Sequence, residues 1–420
     1  MTALRVPRPP AADPALAFSD EQIRAAVAYA HPRHRWSMLA LAADLLVLGG
    51  FALTDPGRRL VAEAAGVAGG WVPGQAALAT VAVVASQALA GLPFSVRAWR
   101  QDVRAGLATQ RAPAWLADWL KARTVGIVLT LIPVAGLVLA ARWLPGHPLT
   151  SAVAAGLLVA ALTLAGPVVL EPLFNRFTPL PEGPLRAHAL ATAARMGVAV
   201  SDVLVADASR RTTRLNAYVS GLGRTRRIVL YDNLLALAER EGDDQVLLVL
   251  AHELAHVRHR DVPLGTAAGA LAAALGVLAL DGLLGLGGVR RALGVQGLGD
   301  PLAPAGVLLL AAVAGLAAAP VASAISRWSE ARADWAALEA RHDPASAVAV
   351  ERRLALDNLA DLRPNPLLVA WFASHPPVMA RIAQAWLWAD RHRQVLRSPG
   401  QPDRPGDPQV LRSPGPPGAT

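Results

Sequence analysis

The sequence predicts a mainly α-helical, polytopic membrane protein with about six transmembrane helices and an α+β region that interrupts and follows them. Three observations carry this prediction. The 420-residue chain is 54% hydrophobic and only 17% charged, whereas soluble domains carry about a quarter charged residues. Its mean hydropathy is +0.37. Apolar runs near the ~20-residue length that spans a bilayer recur at 36–53, 75–94, 124–144, 149–170, 263–284 and 301–325. Helices buried in a large soluble core are the competing explanation, and so many runs in one chain weigh against it.

Charge orders these runs across the membrane. The net charge is +9, nearly all of it from Arg, with Lys121 the only lysine. The basic residues cluster in segments flanking the apolar runs, as the positive-inside rule requires. No nucleic-acid module is recognisable, so the basic balance does not imply a nucleic-acid partner. Arg24, Arg33 and Arg35 precede the first run, and Arg97, Arg100, Arg104, Arg111, Lys121 and Arg123 lie between the second and third. The turn Pro145-Gly146-His147-Pro148 carries neither Lys nor Arg. The amino terminus is therefore expected in the cytoplasm, and with it the region after residue 170 and the carboxyl end. Arg58, Arg59, Arg290 and Arg291 run against this orientation. The polar, Pro-rich start makes a poor signal peptide.

Taken in order, residues 1–35 read as a cytoplasmic amino-terminal segment and 36–170 as four transmembrane helices with their loops. Residues 171–261 read as a catalytic region: a helix over 184–196, a strand over 202–207, and a hairpin of 215–220 and 227–231 around Gly221-Leu222-Gly223. A helix then starts near Asp243 and Asp244, whose charges suit a helix amino terminus, and runs through His256. Two more transmembrane helices fill 262–325, and a second catalytic region, helical over 326–341 and 345–358, fills 326–390. In 391–420 the stretch Gln394 to Gly400 recurs as Gln409 to Gly415. This Pro/Gly-rich tail cannot bury a core and is expected to be disordered. Asp44 and Asp281 fall within predicted spans, where an ionisable group needs water or a partner. For Asp281 the outer interface is the favoured position.

The strongest chemical signal is His252-Glu253-Leu254-Ala255-His256. On a helix, positions four apart share a face, so both imidazoles can reach one tetrahedral zinc, with Glu253 placed to take a proton from its water. Cysteine is absent, so any metal must sit on His and carboxylate. The preceding Val246 to Leu250 is apolar, which buries the helix and makes unpaired imidazoles costly without a metal. A catalytic zinc needs a third ligand and an open position. Glu330 is the best candidate, expected to open a helix after the last span. Asp334 lies one turn on and could accept from a ligating histidine. His259 is a weaker third ligand, turned away at i+3 from His256, and His375 is another.

With these residues in hand, the chain resembles the CAAX prenyl protease family of type I membrane zinc metallopeptidases. The matching segments are Leu173 to Leu180, Asp207 to Thr213, Asn216-Ala217-Tyr218, Gly221 to Asp232, the His252 motif, the Glu330/Asp334 pair and His375-Pro376-Pro377. The resemblance implies a zincin-like catalytic domain, with membrane helices enclosing a large chamber. It implies one Zn2+ per chain on His252, His256 and Glu330, with Glu253 as the base. Asn216, Ala217 and Tyr218 would lie along the substrate, in keeping with an edge strand that adds an extended peptide to its sheet. His375 would donate to the oxyanion of the tetrahedral intermediate. Arg381 fits the same pattern and is expected to pair with an acid near the zinc, with Asp334 the candidate.

The function this implies is zinc-dependent hydrolysis of peptide bonds in membrane-associated polypeptides, in the cell membrane with the site facing the cytoplasm. Substrate polypeptide and lipid bilayer are the expected partners. Heavy Ala, Arg, Gly and Pro usage suggests a GC-rich bacterial genome, and bacteria generally lack prenylated CAAX substrates. An HtpX-like protease that degrades damaged membrane proteins is the first alternative. A non-proteolytic scaffold or transporter with a structural zinc is the second, and Glu253 argues against it, since a structural site needs no base.

Overall fold

A computed structural model describes Pro7 and residues 9–396. Most of the tail that carries the Gln394–Gly400 repeat lies outside the described residues. The last helix, Val378–Leu396, nonetheless runs into the first residues of that tail.

Among the described residues, six helices are long and apolar enough to cross a membrane: Asp20–Leu53, Val72–Arg104, Ala112–Trp143, His147–Phe174, Asp261–Gly285 and Pro304–Arg341. Their most apolar windows have mean hydropathies between 1.7 and 2.4, yet at most 17% of any window is buried. Leu46, Leu157 and Leu271 are exposed on these helices. Apolar surface on this scale, left outside any core, fits a lipid solvent and not water. The protein is a multi-pass membrane protein with six candidate spans. Pro167 lacks the N–H needed for regular α pairing, and Gly166–Leu170 adopts a π-turn within the fourth span.

The first and sixth of these helices are the longest, at 34 and 38 residues. The first starts at Asp20, where Ser19 and Gln22 form a reciprocal cap: Ser19 N–H donates to Gln22 Oε1 at 3.0 Å, and Gln22 N–H to Ser19 Oγ at 3.3 Å. The sixth is continuous from Pro304 to Arg341. The expected separate helix over 326–341 is therefore a correction: Glu330 sits within the helix that contains the span. Polarity rises at Ser326 and Arg327, but neither is a helix stop.

Contacts divide the described residues into two compact units, one drawn from the stretches up to 31, 175–262 and 320–396, the other of 32–174 and 263–319. The second unit packs around Leu48, Val61, Val83, Val134, Leu280 and Leu284. It includes two short helices the sequence did not announce, Asp55–Gly66 and Gly287–Leu293. Thr54 caps the former, its Oγ1 accepting from Gly57 N–H at 3.2 Å. Gly57 is needed there, because a Cβ would strike the Gly50 carbonyl. Arg58, one of the arginines that runs against the charge rule, is used locally: it pairs with Asp55 at 2.5 Å and donates to Ala292 O at 3.1 Å. Asp281 lies 3.8 Å from His147.

The first unit holds a four-stranded sheet of order β1-β2-β4-β3, with β1 Phe177–Pro179, β2 Asp202–Ala206, β3 Ala217–Ser220 and β4 Arg227–Tyr231. β2 and β4 are parallel and the other two pairings antiparallel. The predicted hairpin is β3–β4, in register Tyr218 to Val229, and β3 is a sheet edge. Period-two alternation gives the sheet two apolar faces. Val203, Ile228 and Leu230 join the main core with Leu247, Leu250 and Leu254 of the helix Asp244–Arg258, while Leu204, Ala206 and Val229 form a smaller cluster. A third cluster unites Phe18, Ile23 and Ala26, from the expected amino-terminal segment, with Leu362, Ile382 and Trp386.

Candidate active site

The helix Asp244–Arg258 carries the His252 motif, and its buried face (Val246, Leu247, Leu250, Leu254) anchors it against the sheet. That anchoring decides where the histidines point. His252 Nε2 and His256 Nε2 converge to 3.2 Å. Glu330, buried on the helix Pro304–Arg341, completes the cluster: Oε2 lies 3.2 Å from His252 Nε2 and Oε1 3.4 Å from His256 Nε2. These are the only three such residues found grouped tightly enough to hold a metal ion among the described residues. His259 is not among them.

The donor set fits zinc. Bonds of ~2.0–2.1 Å at tetrahedral angles place ligand atoms about 3.3 Å apart, which matches the edges of this triangle. Glu330 Oε2 is enclosed, and its close polar neighbours are imidazole nitrogens, His252 Nε2 at 3.2 Å and His375 Nε2 at 3.4 Å, a lone-pair-rich cluster that a cation would satisfy. The protein groups by themselves favour positive charge at this point. Burial resists charging of His252, but Asp334 and Glu330 outweigh it and raise the imidazole to about 10.

Each histidine is backed by a carboxylate, and each carboxylate by an arginine. Asp334 Oδ1 stands 2.8 Å from His252 Nδ1. Arg381 grips the same carboxylate with two bonds, Nε to Oδ2 at 2.9 Å and Nη2 to Oδ1 at 2.6 Å. On the other side, Asp261 Oδ2 lies 2.7 Å from His256 Nδ1. Arg332 pairs with Asp261 while stacking on Trp328, its guanidinium 4.4 Å from the ring centre. Such partners fix the tautomer and aim of a ligating imidazole. Sequence reasoning anticipated the Asp334 and Arg381 arm and missed Asp261, Arg332 and Glu351, whose Oε1 lies 3.0 Å from Arg381 Nη2.

Of the remaining expected residues, Asn216, Glu253 and His375 line a cavity of about 140 Å³ beside the triad, together with His252, Glu351 and Arg381. Burial pushes the Glu253 carboxyl above the ordinary Glu range, partly offset by His252 and His256. His375 Nε2 lies 3.4 Å from Glu330 Oε2, while its side chain stays 60% exposed. Its Nδ1 is 2.8 Å from Ser374 Oγ. β3 packs against the motif helix. Asn216, just before that strand, reaches the cavity, whereas Ala217 is buried in the main core and Tyr218 packs on the smaller cluster with Tyr231.

Comparison with known proteins fits this geometry. Residues 179–389, half of the chain and all three residues of the triad, match Peptidase family M48. The chain belongs to this family. Among its relatives, the uncharacterized metalloprotease YhfN of Bacillus subtilis (strain 168) is 32% identical over 221 residues, 52% of this chain and 51% of that protein. A CAAX prenyl protease 1 homolog of Oryza sativa subsp. japonica is 44% identical over 90 residues, 21% of each chain. The matched region thus spans about half, or less, of these curated relatives. The crystal structure of S. mikatae Ste24p aligns over 88% of this chain and 89% of its own, with a TM-score of 0.73 and 22% identity. This M48 chain therefore shares the Ste24p fold.

Proposed function

We propose that this protein is a membrane-embedded zinc metalloendopeptidase that hydrolyses peptide bonds in membrane-associated polypeptides. The observation that carries the reading is the triangle of His252, His256 and Glu330, whose edges of 3.2 to 3.4 Å suit one tetrahedral cation. Membership of M48 supports it, and so does Glu253, a carboxylate that a purely structural metal site would not need.

A bound zinc ion would supply Lewis acidity, polarising the scissile carbonyl and acidifying water. The Glu253 carboxylate removes the proton of the attacking water and later delivers it to the departing amine. The bond broken is C–N, with the water oxygen going to the acyl carbon. His375, at the mouth of the cavity, donates to the oxyanion that develops on the carbonyl oxygen. Asp334 and Arg381 keep His252 aimed, and Asp261 does the same for His256. Asn216 to Tyr218 bind the substrate backbone as an added strand on the open edge of β3. The charge distribution of the loops supports a cell-membrane location with the site on the cytoplasmic side.

The test uses full-length protein in lipid nanodiscs with a fluorogenic generic peptide. Cleavage should be abolished by a chelator, restored by Zn2+, and reduced about 10²–10⁴-fold in Glu253→Gln. Zinc retained without any turnover would favour a scaffold instead.

A further inference from the structure

Glu351 is a buried acid that the mechanism above does not use. It sits on the helix Pro344–Asp357 and lines the cavity beside the triad. Oε1 meets Arg381 Nη2 at 3.0 Å, and no other partner of this carboxylate is found among the described residues. The walls leading to it are apolar: Leu234, Leu248, Ala347, Val350, Leu354 and Ala385. At about 140 Å³, the space takes roughly five water-sized groups.

We propose that this cavity is a subsite for a substrate side chain with an aliphatic stem and a cationic, hydrogen-bond-donating tip, the lysine class, and that Glu351 reads the tip. The inference rests on the reading of the neighbouring triad as a peptidase site. Three features of the cavity select this class. An aliphatic stem matches the Leu, Val and Ala walls, as long cationic side chains bury their methylenes while the head finds a polar partner. A wholly apolar side chain would seal Oε2 away from any donor, and an unsatisfied buried acceptor is unfavourable. An acidic side chain would face Glu351 and Asp334, and it would find Arg381 already held by both of them. Burial already strains the Glu351 carboxyl, raising it to about 7 against the pull of Arg381, and an incoming ammonium would relieve that.

The test is binding, read by fluorescence anisotropy on Glu253→Gln protein in nanodiscs. The probes are labelled nonapeptides that carry one variable residue, scanned along the chain as lysine, norleucine or glutamate. Norleucine keeps the lysine stem and lacks its ammonium. At one position lysine should bind about tenfold or more tightly than norleucine, with glutamate weakest. Adding Glu351→Leu should invert the lysine–norleucine order at that position. Norleucine binding as well as lysine at every position overturns the proposal, and so does a lysine preference that survives Glu351→Leu. Should Glu351→Leu fail to fold, Glu351→Gln and the lysine–norleucine comparison on the parent decide the matter. The wild-type protein separates the two readings. Cleavage without lysine preference sinks the subsite alone, whereas lysine-selective binding without any cleavage sinks the peptidase reading and leaves the subsite standing.

Discussion

Asp261 Oδ2 lies 2.7 Å from His256 Nδ1 although four residues and a break in the helix separate them. Arg260, at φ 59°, takes the left-handed conformation between the helices Asp244–Arg258 and Asp261–Gly285 and so turns the aspartate back onto the imidazole. Replacing Asp261 by Asn keeps the shape and removes the charge that supports His256 as a ligand. Zinc affinity, measured by competition with a fluorescent chelator, should fall about 10- to 100-fold. An unchanged affinity would mean that the contact merely stabilises the helix junction.

Glu253 and Glu330 should separate chemistry from metal binding. Glu253→Gln preserves the triad, so the protein should keep one zinc by elemental analysis while peptide cleavage drops about 10²–10⁴-fold, the usual contribution of a general base. Glu330→Gln removes the anionic ligand and should lose zinc and activity together. Equal zinc loss in both variants would remove Glu253 from the role of base.

Much of this was legible in the sequence, and the reasons are specific. The six spans show because lipid imposes a run of apolar residues that no other environment requires. His252 and His256 show because helical spacing fixes their common face without any tertiary information. Glu330 and Asp334 follow from the same spacing, although polarity at Ser326 concealed that their helix is continuous with the sixth span. Asp261 escaped because a left-handed residue, not helical periodicity, brings it to His256. Glu351 escaped because it approaches Arg381 from a separate helix, and no local pattern marks a carboxylate that becomes buried only by tertiary packing. The helix over Asp20–His31 was overlooked although Ser19 and Gln22 spell a capping box; its few apolar residues form a patch that has meaning only against Ile382 and Trp386.

The pH dependence has a definite sign. A histidine must be neutral to ligate, and His252 is raised to about 10 by the carboxylates around it, so between pH 6 and 8 it holds a proton that zinc must displace. Zinc binding then releases a proton, and affinity should rise about tenfold per pH unit. Chelator competition at three pH values, corrected for protonation of the chelator, measures this. The acid limb of the cleavage profile has a separate origin. Glu253 works only when ionised and is raised above its usual 4.5 by burial, so activity should fail on acidification at a midpoint above that value. A flat zinc affinity between pH 6 and 8 contradicts the first statement; a midpoint at or below 4.5 contradicts the second.

The open edge of the sheet gives the last prediction. Tyr231 N–H donates to Asn216 O at 3.1 Å, so Asn216, Tyr218 and Ser220 face β4 with their hydrogen-bonding groups. Antiparallel alternation then turns the N–H of Ala217 and Val219 outward, away from β4. A substrate strand added to β3 needs those groups. Proline at an edge position removes an outward donor without breaking the ladder behind it, so Val219→Pro should weaken binding of an extended peptide by about 3- to 10-fold, the worth of one net hydrogen bond, while the zinc content stays at one per chain. Val219→Ala, which keeps the N–H, should bind as the parent does. If the proline variant binds peptide normally, the substrate does not pair with this edge, and Asn216 to Tyr218 must contribute through side chains or not at all.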